Sequence, residues 1–234
     1  CVKSYVLDEC YWIRLKGAAP EPLIRKSYFM SEILKSSLTA LIAGERPTPS
    51  AIQDCFHAIM DGDVGEAQIA AFLIALKIRG EQVEDIAAAA NVMRQKAKTI
   101  KAPDIAMDIV GTGGDGFGTY NISTACAFVV AGCGIPVAKH GNKAVSSKSG
   151  AADVLSSLGI KLDCDMSLVE QALAEANITF LMAPRHHAAM RHVGPTRAAL
   201  GVRTIFNLLG PLSNPALVKR IMVGVFDQSY CASF

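Results

Sequence analysis

The run Asp108-Ile109-Val110-Gly111-Thr112-Gly113-Gly114-Asp115-Gly116-Phe117-Gly118-Thr119-Tyr120-Asn121-Ile122-Ser123-Thr124 decides how this chain is read. A short apolar segment, residues 106–110, ends in a loop with five glycines in eight residues, and a helix is expected beyond it. Glycine lets a backbone turn sharply and approach a ligand closely. Ser123 and Thr124 sit where the helix should begin, and the free N–H groups of a helix start bind phosphate. Thr119 and Asn121 add short polar side chains to the same loop. Strand, glycine loop and helix together predict a phosphate-binding turn in an α/β fold. Gly111, Gly113 and Gly116 formally match the dinucleotide pattern G-x-G-x-x-G. That pattern starts its helix inside the motif and needs an acid about twenty residues on, whereas this loop continues through Tyr120 and the next acid after Asp115 is Asp153. A G-K-[ST] signature is also absent, which excludes a P-loop.

Downstream, residues 135–138 read as a strand, and 151–158 and 168–176 as helices. Residues 178–182 and 221–226 read as further strands. Alternating short strands and helices imply a mainly parallel sheet. The second informative stretch, residues 139–150, follows a predicted strand directly. It carries three lysines, three serines, one asparagine and two glycines within twelve residues, a cationic, donor-rich loop suited to phosphate oxygens. Both loops are expected at the C-terminal edge of one sheet, where α/β proteins place ligands.

Upstream, residues 31–101 show a helical pattern. Leu34, Leu38, Leu41 and Ile42 keep one face apolar; Thr48-Pro49 reads as an N-cap followed by proline at the first helical position. Ile52, Phe56, Ile59 and Met60 form a second stripe, Ile69, Phe72, Leu73 and Leu76 a third, and Val83, Ile86, Ala90 and Met93 a fourth. Four helices without a strand predict an all-helical unit. Residues 1–29 do not share this pattern and are expected to be a leader or extension ahead of a start at Met30.

The bulk properties agree. The chain has 234 residues, 51% of them hydrophobic, and a formal charge of +2. Near-neutral balance gives no support for a nucleic-acid or membrane-surface partner, so any anion site is expected to be local. The longest apolar run is broken by Gly132, Gly134 and Pro136 and is too short to span a bilayer. The seven cysteines show no C-x-x-C pair, which points to a reduced cytoplasm rather than to zinc or a disulfide framework.

Three runs carry a resemblance. V-G-T-G-G-D-G-x-G-T-x-N-I-S-T is followed by K-H-G-N-K-A-V-S-S-K-S-G and then by R-A-A-L-G-V-R-T-I-F-N-L-L-G-P-L-S-N-P. In this order, across residues 30–227, the chain resembles the anthranilate phosphoribosyltransferases. The resemblance implies a nucleoside phosphorylase/phosphoribosyltransferase-like α/β fold. Its parts would be a small all-helical domain (residues 30–102, joined by a helix near 188–200) and a larger α/β domain (103–234) with a mainly parallel sheet. It implies a reaction of tryptophan biosynthesis in which the anthranilate amine attacks C1 of phosphoribosyl pyrophosphate (PRPP) and expels pyrophosphate. Carried over by motif position, Gly111, Gly114, Asp115, Thr119, Asn121, Ser123, Thr124, Lys139, Asn142, Ser146 and Ser147 would bind PRPP. His140, Asn142 and Arg197 would meet anthranilate, and Ser123 would be a ligand of Mg2+. No residue is implied as an acid or base. A homodimer through the helical domain is implied too, with neither nucleic acid nor membrane as a partner.

The chain departs from the pattern in three places. The family continues well beyond this length to an adjacent Asp-Glu pair for magnesium, and no such pair follows here. The α/β domain and the Mg2+ site are therefore expected to be incomplete at the C-terminus, and turnover by this chain to be low. Ala188 stands where many relatives carry proline, and Lys143 where arginine is frequent. The alternatives are a pyrimidine nucleoside phosphorylase and a non-catalytic phosphate-ligand-binding pseudoenzyme. His186, His187 and His192 are expected in a loop before a helix, with no assigned role.

Overall fold

Thr48 shows how the first layer is built. Its side chain accepts the N–H of Ala51 at 3.2 Å, and Pro49 opens helix α2 (Pro49–Asp61) where a missing N–H costs nothing. At the other end Gly62 closes the helix with φ +82°, a conformation glycine adopts without strain, and a Cβ there would lie 2.6 Å from the His192 ring. In the computed structural model, which describes residues 32–113, 120–144 and 149–234, α2 packs on α1 (Glu32–Ala43) and α4 (Val83–Lys96), and α1 on α3 (Glu66–Arg79), whose Phe72 ring meets Phe56 edge-on. Leu34, Leu41, Ile52, Phe56, Ile59, Ile69, Phe72, Leu73, Leu76 and Ile86 form the interior of this bundle. Three members of the predicted stripes lie outside it: Leu38 is half-buried, Ile42 is 76% and Val83 50% exposed. Ile42 follows Leu41 by one residue, about 100° round the helix, and Val83 is the first residue of α4.

The predicted helical run to Lys101 is also too long. Helix α4 ends at Lys96, and the chain leaves it extended, with Lys98 N–H donating to His186 O and Ile100 N–H to Pro215 O. These bonds carry the chain across to the second layer, a four-stranded parallel sheet ordered β3-β2-β1-β4. Its strands are β1 (Met107–Gly111), β2 (Val137–Gly141), β3 (Ile178–Met182) and β4 (Arg220–Gly224). Helix α5 (Ile122–Gly132) connects β1 to β2. Helices α6 (Ala151–Ser157) and α7 (Met166–Ala176) connect β2 to β3. The fold is thus a helical N-terminal domain plus an α/β domain.

The return from β3 to β4 crosses back over the bundle. It runs through α8 (Ala183–His186), a 3₁₀ turn (Ala188–His192), α9 (Gly194–Leu200) and α10 (Phe206–Leu212). Val193, Ile205, Phe206, Leu208 and Leu209 from this segment complete the bundle core, with Phe206 5.5 Å from the Phe56 ring. The loop expected around His186 and His187 is instead two short helical turns, closed by His187 N–H donating to Ala183 O and tied to the chain leaving α4 by Lys98 N–H donating to His186 O. Strand β4 lands on the far side of β1, so chain order reverses beside β1. In open α/β sheets this reversal opens a crevice at the strand C-termini.

Candidate active site

The glycine loop and the lysine loop leave neighbouring strands at that C-terminal edge. Gly111 ends β1 opposite Gly224 of β4, and Thr112 N–H donates to Gly224 O at 2.9 Å. Thr112 Oγ1 in turn accepts the N–H of Phe226, and Arg203 donates to Gly113 O at 2.9 Å while lying over the Phe226 ring. The start of the glycine loop is thus pinned on two sides. Gly114, Asp115 and Thr119 lie outside the described residues, as do Ser146 and Ser147.

Lys139, one residue before His140 on β2, is 3% exposed. Its Nζ donates to Ile109 O at 2.6 Å and to Ser123 Oγ at 3.3 Å. One ammonium thereby joins the end of β1 to the first turn of α5. Asn121 is the N-cap residue of that helix, and Thr124 is buried behind it with its Oγ1 unpartnered among the described residues. Burial pushes Lys139 below the ordinary lysine range, and the Asp108 carboxylate opposes that shift. Asp108 is itself fully buried; desolvation raises its pKa to about 6, against the hydrogen bond from Asn214, the charge of Lys139 and the N–H of His140.

His140 faces the opposite side of the strand. Its Nδ1 lies 3.1 Å from Gly210 O on α10. A carbonyl only accepts, so Nδ1 carries the proton and Nε2 presents its lone pair. His187 sits beside it, ring centroids 5.1 Å apart, and is oriented by the Ser213 backbone. The Nε2 atoms of both rings are buried and unpartnered among the described residues. Desolvation pushes His140 down to about 3 and His187 to about 4, so both rings are neutral near pH 7. The arrangement is a pair of buried acceptors suited to an N–H donor.

Arg197 comes from α9 with its guanidinium 5.5 Å over the Phe206 ring, half-buried and without an ion pair among the described residues. Phe206 and Gly210 are one turn apart on α10, about 6 Å of helix rise. His140 and Arg197 therefore lean on the same short helix. Asn142, exposed just past β2, accepts Lys143 N–H with its side chain and Ala152 N–H with its carbonyl. Asp153 closes the lysine loop, accepting Ala144 N–H and Gly150 N–H at 2.8 Å each. Those two bonds hold its carboxyl below the usual range.

Sequence reasoning missed Asp108, Asn214, His187 and Asp153. Asp108 and Asn214 stood inside the quoted runs, but nothing local marks them as buried. A magnesium ion is not well served by the described donors. Ser123 Oγ is one oxygen facing an ammonium, and no group of three His, Cys, Asp or Glu side chains converges among the described residues. A hard cation needs several oxygens, so these residues alone do not fit it. No helix among the described residues is long and apolar enough to cross a membrane.

Residues 103–234 match the family model of the glycosyl transferase family, a/b domain, and residues 35–97 match its helical bundle domain. The anthranilate phosphoribosyltransferase of Azospirillum brasilense is 57% identical over 197 residues, covering 84% of this chain and 55% of that protein. The chain thus spans about half the length of such relatives. Among solved structures, the anthranilate phosphoribosyltransferase of Thermus thermophilus is 44% identical with a TM-score of 0.80, covering 84% of this chain and 60% of that one. The Saccharomyces cerevisiae enzyme in complex with PRPP and Mg is 30% identical with a TM-score of 0.79, covering 87% of this chain and 61% of that one.

Proposed function

The chain belongs to the glycosyl transferase family that joins a helical bundle to an a/b domain, and from that premise we propose that its site serves phosphoribosyl transfer from PRPP to the amine of anthranilate, in tryptophan biosynthesis. The observation that carries this reading is the contrast across β2. Lys139 offers a buried ammonium beside the α5 start, and His140 with His187 offers neutral acceptors on the opposite face. The first suits the oxygens of the pyrophosphate leaving group. The second suits the N–H bonds of an arylamine, and Arg197 supplies a planar fork for the neighbouring carboxylate.

In this reaction the amine nitrogen forms a bond to C1 of the ribose as the C1–O bond to pyrophosphate breaks, and the nitrogen then loses a proton. A neutral arylamine needs no strong base before attack, so positioning and exclusion of water carry the rate. On this reading Gly111, Asn121, Ser123, Thr124, Lys139 and Asn142 hold PRPP, as do Gly114, Asp115, Thr119, Ser146 and Ser147 outside the described residues. His140, His187, Asn142 and Arg197 receive anthranilate. Magnesium, where used, needs oxygens beyond Ser123. A homodimer through the helical domain belongs to the same proposal, and Ile42 and Ile78 are apolar side chains exposed on that domain.

Calorimetry with pyrophosphate and with anthranilate, alongside an assay for pyrophosphate released from PRPP plus anthranilate, tests the reading. Binding of both ligands is expected, with release that depends on anthranilate. Binding of neither, or cleavage of a pyrimidine nucleoside by phosphate instead, overturns it.

A further inference from the structure

We propose that Asn214 is a positioning residue that, through Asp108, fixes the orientation of His140. Asn214 lies just beyond α10 and is 2% exposed. Its Nδ2 donates to Asp108 Oδ2 and to Ala138 O, at 2.8 Å each, and its Oδ1 accepts Ala216 N–H at 2.8 Å. Both amide protons and the oxygen are in use. Asp108 Oδ1 then accepts the backbone N–H of His140 at 3.1 Å. The His140 ring closes the circuit at Gly210 O, four residues before Asn214. This circuit ties β1, β2 and the end of α10 together where the sheet meets the bundle.

The chemistry requires a carboxamide at position 214. Two acceptors, a carboxylate and a carbonyl, face it from one side and one N–H from the other. Aspartate has no protons for the first two, and leucine has neither donor nor acceptor. Glutamine has the right groups but one methylene too many for a closed site. Without this joint, the His140 amide and the Gly210 carbonyl are no longer held at one separation. The Nδ1–H tautomer that leaves Nε2 as acceptor then loses its support. The inference rests on the transferase reading only in giving that acceptor an amine to receive.

The test is ¹⁵N NMR of the 234-residue chain at pH 7.5, above the Asp108 value of about 6. In the unaltered chain His140 is expected in the Nδ1–H form with a slowly exchanging amide. In Asn214→Asp the ring should become a mixture of tautomers and the His140 amide should exchange about tenfold faster or more, with the Phe56 amide in the bundle unchanged. The double variant Asp108→Asn with Asn214→Asp should recover part of the effect. The carboxamide at 108 can accept from His140 N–H and donate to the carboxylate at 214. Binding gives the second arm: anthranilate affinity should fall about tenfold in Asn214→Asp while pyrophosphate affinity holds within about threefold. An unchanged His140 tautomer and exchange rate would overturn the inference, as would equal acceleration at Phe56, which marks a merely structural role. If the unaltered chain binds neither ligand, the transferase reading fails and the His140 signals still decide this one.

Discussion

Lys139 and His140 are neighbours on one strand, both almost fully buried, yet they live in opposite chemical regimes. Strand alternation sends them to opposite faces. Lys139 meets a carbonyl, a hydroxyl and the nearby field of Asp108, groups that favour a cation. His140 meets a carbonyl at one nitrogen, another imidazole, and the desolvating floor of the bundle, which disfavours one. The lesson is that a single strand end can present charge on one side and neutral acceptors on the other. Burial costs both residues, and the partners decide which form survives.

The largest break in that contrast is expected from acid. His140 and His187 have folded values near 3 and 4, below the unfolded value near 6.5. The unfolded chain therefore takes up protons first as pH falls, so their contribution is complete above about pH 6.5 and is lost from there down to about 3–4. Asp108, raised to about 6, works the other way and gains stability as pH falls from 6 towards 4. Two imidazoles outweigh one carboxyl. Thermal melts from pH 7 to pH 4 should lose on the order of 10 °C, and His187→Gln should flatten that slope. An unaltered slope in the variant would show that the imidazoles are not the cause.

Next comes the cationic side. Lys139→Met keeps much of the stem but removes charge-assisted bonds to Ile109 O and Ser123 Oγ. Pyrophosphate affinity should fall roughly 30–100-fold by calorimetry, with anthranilate affinity nearly constant. Equal loss of both would mean that the two faces are not separate. Arg197→Ala should do the reverse on a smaller scale, weakening anthranilate about tenfold and leaving pyrophosphate untouched.

Much of this arrangement was legible because its signals are local. Thr48-Pro49 announces a helix start, and the apolar stripes of α2 and α3 give the bundle. Two strands each followed by a donor-rich loop place both loops on one sheet edge, but the second strand lies later than expected: it runs Val137–Gly141, so Lys139, His140 and Gly141 pair in the sheet and the loop begins at Asn142. What escaped depends on distant partners. Asp108 reads as a polar residue in a strand until Asn214, 106 positions later, is seen against it. His187 gains meaning only beside His140. Ile42 and Val83 fit their stripes by spacing, but spacing does not say where the neighbouring helix ends. The short helix α8 escaped because four residues carry too little period to read, and α10 because Gly210 and Pro211 inside it read as breakers.

Asp153 gives the smallest and most selective probe of the cationic side. It touches no proposed ligand, and it is half-buried at the edge of the loop. It holds Ala144 N–H and Gly150 N–H together and so fixes the two ends of the loop that follows β2. Gly150 sits so close to Ala144 that a Cβ there would lie 2.4 Å from its nitrogen, so the clamp has no room to be replaced by packing. Asp153→Asn keeps one acceptor and loses the charge. Pyrophosphate affinity should fall only about two- to fivefold, because the remaining carbonyl still accepts and the loop ends stay partly paired. Anthranilate affinity should not move, since the clamp does not reach the His140 ring. A drop in anthranilate binding equal to that of pyrophosphate would mean that the loop spans both faces of β2, and that the division drawn at Lys139 and His140 lies further along the chain.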